Sequence, residues 1–151
     1  MSLAKGKSQL GPNFFDEIGG EACLERVHGL LYDKLYAHPW LKGFFVNSKL
    51  DVVKSQQTRF WAALMGGPSL FGGRSPRDAH VHMFIPAEAF DARHELLDEA
   101  IREAGVPDRH RENWLRLDNS FRNAIVNKSS DECHGRYKTE QVLIVPRPGG
   151  S

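Results

Sequence analysis

Apolar residues along this chain recur at three- and four-residue intervals, broken by glycine pairs and prolines, with almost no two-residue alternation. That period is helical. After Gly19-Gly20, the residues Leu24, Val27, Leu31 and Leu35 share one face, with His28 and Tyr32 beside the stripe, and predict an amphipathic helix. Pro39 in HPWLKGFF breaks it, because the residue before a proline is pushed out of helical backbone. A second helix is predicted from Ser48, where Ser-Lys-Leu-Asp reads as a capping box with Asp in place of Glu. Its stripe is Val53, Gln57, Phe60, Trp61 and Leu64, and it stops at Gly66-Gly67-Pro68. A third opens at Pro86, turns Phe90, Leu97 and Ile101 inward, and ends near Gly105. A fourth follows Pro107-Asp108 and aligns Trp114, Leu117, Phe121 and Ile125.

One interval interrupts this all-α pattern. Between Met65 and Pro86, twenty residues hold four glycines and two prolines, too irregular for a long helix. Within it, SPRDAH carries the marks of a helix start: Ser75 as N-cap, Pro76 in the first helical position, Asp78 in the first turn. A short helical turn there separates His80 and His82 by about 200° around its axis, so the two rings cannot share one ion. In an extended strand they would share a face and could clip a metal. The cap signals favour the turn, and a lone surface histidine has an idle reading as well.

Composition narrows the class. The 151 residues carry 40% hydrophobic and 26% charged side chains with a net charge of +1, as expected of one globular domain and not of a nucleic-acid-binding or membrane-surface protein. No apolar run approaches the ~20 residues of a membrane span. MSLAKGKSQLGPN lacks the apolar centre of a secretory signal. Cys23 and Cys133 are isolated, which suits two free thiols in the cytoplasm. The expected organisation is a tail over residues 1–12, a helical domain over 13–127 and a peripheral extension over 128–151 containing Cys133 and His134. Within the extension, VLIVPRPGGS could dock as a short extended segment.

A single histidine on a short turn leaves most of an ion's coordination unfilled, unless a cofactor brings its own equatorial ligands. Haem does, and needs one axial imidazole. A haem also needs a wide apolar slot, and Phe44, Phe45, Phe60, Trp61 and Phe90 could line one, although aromatics at helical spacing also serve as plain core. Gln57 lies in an otherwise apolar stripe and Tyr32 borders another. A buried amide without a partner costs about 1–3 kcal/mol. The two either bond each other or address a ligand.

The segments FDEIGG, LLYDKLYAHPWLKGFF, QQTRFWAALMGGP, GGRSPRDAH and FDARHELLDEAIREAGVP, in this order, resemble the truncated haemoglobins, nearest to group I. The resemblance runs from about Phe14 to Val126. It implies a two-over-two helical sandwich around a b-type haem, with His80 as the proximal iron ligand and His82 nearby without ligating. Tyr32 and Gln57 would stabilise a distal diatomic ligand. Phe45 would pack on the haem, and Val53 would stand where many globins place histidine or glutamine. Phe44, Phe60, Trp61, Met83 and Phe90 would complete the pocket, with Arg74, Arg77 or Lys54 at the propionates. The chain departs from the group at Arg93 and His94; at the first of these positions group I members carry a smaller apolar residue. These two either snorkel to the surface or reach the cavity, where Arg93 could meet a propionate or an anionic ligand.

The function so implied is binding of O2, CO or NO at a haem iron. It extends to nitric oxide dioxygenation if an external electron donor serves it. A peroxidase-like haem enzyme, a haem-free helical interaction domain, and a non-haem metal protein using His80, His82 and His94 are the alternatives.

Overall fold

The computed structural model describes residues 13–68 and 73–148. The N-terminal tail and the closing Gly-Gly-Ser lie outside the described residues. Seven α-helices are described: α1 (Phe14–Glu17), α2 (Gly20–Ala37), α3 (Leu50–Leu64), α4 (Pro76–His80), α5 (Ala87–Glu103), α6 (Asp108–Asn119) and α7 (Arg122–Ile125). Tight 3-10 turns cover Leu41–Phe45 and Ser130–Glu132. Among the described residues there is no β-strand, and an isolated parallel bridge joins Met83 to Leu143.

Helix α2 is the hinge of the packing, lying against both α3 and α5, while α6 backs onto α5. Its predicted stripe of Leu24, Val27, Leu31 and Leu35 is fully buried, as are Phe90, Leu97 and Ile101 of α5 and Trp114 and Leu117 of α6. A polar bolt ties α2 to α3: His28 Nδ1 lies 2.8 Å from Thr58 Oγ1, both residues buried. At the end of α3, Gly66 takes a φ of +93°, a left-handed bend that favours glycine. Gly67 lets the Phe15 ring close in, since a Cβ there would sit 2.6 Å from it.

Three expectations need correction. The capping box at Ser48 does not form: α3 begins at Leu50 behind an extended Lys49 with no side-chain cap, and the Ser48 amide donates to the Phe45 carbonyl. The preceding 3-10 turn claims the donor first. The fourth helix is not continuous either. Ser120 Oγ donates to the Leu117 carbonyl at 2.6 Å, and α6 stops at Asn119 before the chain turns into α7. A serine hydroxyl that bonds the helix's own carbonyl competes with the backbone and favours such a break. Finally, the extension is not peripheral. The His134 and Leu143 amides donate to the Val81 and His82 carbonyls, and the Phe84 amide to the Leu143 carbonyl. Trp40 Nε1 donates to the Val145 carbonyl at 3.2 Å. The expected docking of VLIVPRPGGS is therefore observed at Leu143, against the segment that follows α4, and at Val145, against Trp40.

Candidate functional site

Helix α4 forms as its cap signals predict. Ser75 Oγ accepts the Asp78 amide at 3.2 Å, and Pro76 occupies the first turn. One turn later His80 Nδ1 donates to the Pro76 carbonyl at 2.6 Å. That bond fixes the tautomer and leaves Nε2 with its lone pair. Burial lowers the His80 pKa against the opposing pull of that carbonyl, and Arg93 and Arg74 lower it further. The ring is therefore neutral near pH 7, the form that ligates a metal.

Two cavities meet at this ring. One, of about 230 Å³, is walled by Tyr32, Phe45, Val53, Gln57, Phe60 and Trp61, with Gln56, Arg74, Ala79, Arg93, Asp118, Phe121 and Ile125 completing it. The other, of about 90 Å³, is walled by Phe44, Met83, Ile85, Ala89 and Phe90 together with Leu35 and Leu41. His80, Phe45, Arg93 and Ile125 belong to both. Phe121, at the break between α6 and α7, and Ile125 of α7 both border the larger cavity.

Tyr32 is 7% exposed, and burial holds its phenol well above its ordinary pKa against the opposing effect of Arg93. It stays a neutral O–H donor. Phe45 meets it edge-on at 5.9 Å and restrains the ring. Among the described residues, the Tyr32 hydroxyl and the Gln57 amide have no hydrogen-bond partner, so the internal Tyr32–Gln57 bond is absent. Gln57 is half-buried on the cavity flank of α3, while Thr58, Trp61 and Ala62 form its buried face.

Arg93 and His94 do not snorkel. Arg93 Nη2 donates to Asp118 Oδ2 at 2.6 Å, and His94 Nδ1 lies 2.7 Å from the same oxygen. Asp118 is 3% exposed. Despite that burial, Arg93 and His94 hold its carboxyl below the ordinary range. Asp118 was missed in the sequence. The available signal was its position four residues after Trp114, which puts a carboxylate on the inner face of α6.

Other candidates fall elsewhere. Lys54 lines a separate cleft with Glu21, Glu25 and Arg59, and Arg77 lines one with Arg122 and Glu132. His82 faces a third cleft with Arg136 and Glu140. Its ring does not join the His80 slot, and among the described residues no group of three metal-ligating side chains is assembled. The Cys133 thiol donates to the Met83 carbonyl at 3.4 Å.

One imidazole with a free Nε2, shared by two aromatic-walled spaces of which the larger is also lined by a phenol without a protein partner, fits a flat macrocycle that needs a single nitrogen ligand from the protein. The helices around it form a globin fold of the abbreviated, two-over-two kind. The sequence profile of the bacterial-like globins matches residues 13–127, and the chain belongs to that family. It is 33% identical over 97 residues to a group 1 truncated hemoglobin of Tetrahymena thermophila, covering 64% of this chain and 80% of that protein. It is 31% identical over 105 residues to one of Mycolicibacterium paratuberculosis, covering 70% and 77%. The Fe(III) truncated hemoglobin of Tetrahymena pyriformis superposes with a TM-score of 0.71 at 30% identity, over 76% of this chain and 98% of that one. The protein is thus a truncated globin near group I, a haem globin for small diatomic ligands.

Proposed function

We propose that His80 Nε2 would hold the iron of a b-type haem and that Tyr32 and Gln57 would retain an oxygen molecule bound there. The carrying observation is the Pro76 carbonyl, 2.6 Å from His80 Nδ1, which commits the ring to presenting Nε2. Arg74, on the rim of the larger cavity, would pair with a propionate. A bound haem would supply the iron for oxygen binding and for nitric oxide dioxygenation to nitrate, the latter needing one electron from an external donor. The chain's own part is orientation: the Tyr32 phenol donates a hydrogen bond toward the ligand, Gln57 supplements it, and Phe45, Phe60 and Trp61 keep water out of the slot.

The test is haem loading. With haem added, the parent is expected to show a Soret band and a carbonmonoxy shift, and His80→Ala to lose most of its pigment on gel filtration. A parent without a Soret band favours the haem-free reading. Equal loading of both proteins removes His80 from the role.

A further inference from the structure

The bridge between α5 and α6 is more than a structural tie. The Arg93 guanidinium lines both cavities beside His80, lies 5.0 Å from the Phe90 ring centroid, and spends one of its donors on Asp118. A guanidinium carries five N–H donors. Those left over have no partner among the described residues, yet none is walled off without a partner. His94 stacks on Phe90, with centroids 6.3 Å apart and planes 15° apart, and donates to the oxygen that Arg93 uses. The clamp is therefore fixed from both sides.

The orientation of the pair also matters. Arg93 acts on the Tyr32 phenol more strongly than Asp118 acts in the opposite sense, and at His80 it acts without opposition from Asp118. Both members of the ion pair border the larger cavity, and Arg93 without Asp118 also borders the smaller one. A guanidinium already held in place needs little reorganisation to meet an anion.

We propose that Arg93, held by Asp118 and His94, is an anion subsite of the slot that seats a small monovalent anion of the azide or nitrite type beside Tyr32 and Gln57. The inference rests on the haem reading above. Arg93 is part-buried, paired with a buried carboxylate and bordering both cavities, whereas Arg74 is exposed and borders the larger one alone. A free anion is therefore the favoured partner over a haem propionate.

Azide titration of the ferric, haem-loaded full chain, followed by the Soret shift, tests it, with carbon monoxide on the ferrous form as the uncharged reference. Arg93→Gln keeps an amide donor for Asp118 and removes the charge. The ratio of azide affinity to carbon monoxide affinity is expected to fall at least about tenfold. Asp118→Asn keeps an oxygen for both donors and removes the counter-charge, so azide affinity is expected to rise at least about threefold. These opposite signs separate electrostatics from damage to the pocket. Unchanged ratios, or both variants moving in one direction, overturn the proposal. So does faster haem loss in Arg93→Gln with azide affinity intact, which assigns the guanidinium to a propionate. A parent that never shows a Soret band sinks the haem reading itself, and is distinguishable from a pigmented parent indifferent to Arg93.

Discussion

Tyr32 shows how one side chain is tuned by its surroundings. Its phenol is buried, kept protonated, and restrained by the edge of Phe45. A hydrogen bond from such a donor to a polarised ligand is charge-assisted and contributes about 1.5–3 kcal/mol. Tyr32→Phe is accordingly expected to speed oxygen dissociation about tenfold to a hundredfold, measured by stopped-flow displacement with carbon monoxide. An unchanged rate would remove the hydroxyl from ligand retention. At this scale the sequence singled out His80, Tyr32 and Gln57, which border one cavity, because each breaks a local rule: a histidine on a capped turn, and polar groups at or beside an apolar stripe. It was silent on Asp118. The apolar stripe of Trp114, Leu117, Phe121 and Ile125 passes over that carboxylate, and only the structure shows Arg93 and His94 reaching it from α5.

Helix boundaries followed local chemistry where one signal dominated. Ser75, Pro76 and Asp78 started α4 unaided, and Pro86 and Pro107 stand immediately before α5 and α6. Where two short-range bonds competed, local reading failed, as at Ser48 and Ser120. The extension is the largest departure. It makes three backbone hydrogen bonds to Val81, His82 and Phe84, immediately after His80. Val145 fills the space that a Cβ on Gly43 would need, at 2.5 Å. At about 1 kcal/mol per bond, deleting residues 128–151 is expected to lower the melting temperature of the haem-loaded protein by about 10 °C and to quicken haem transfer to an acceptor globin. Unaltered melting and haem loss would reduce the extension to decoration. No sequence period announces this contact, because it is made by backbone groups of irregular segments.

For the whole molecule, the His28–Thr58 bolt couples packing to pH. Burial pushes His28 down to about 4 from an ordinary 6.5. The unfolded chain takes up a proton on this ring near pH 6.5, and the folded chain refuses it until about 4. The stabilisation is therefore complete above pH 6.5 and declines as pH falls toward 4, by up to about 3 kcal/mol. Denaturant midpoints between pH 7.5 and 4.5 are expected to drop in the parent and to drop less in His28→Gln; parallel curves would discard the account. Sequence by itself determined the helical period, the inward faces of α2 and α5, the start of α4 and the residue types able to hold a haem, since all of these follow from short-range sterics and the burial of apolar stripes. Only the tertiary structure decided that Gln57 flanks a cavity instead of the core, that Arg93 is clamped by Asp118, and that the extension fastens the segment beyond His80. Those contacts join residues 24 or more positions apart, and a linear pattern carries no information about which helices will face each other.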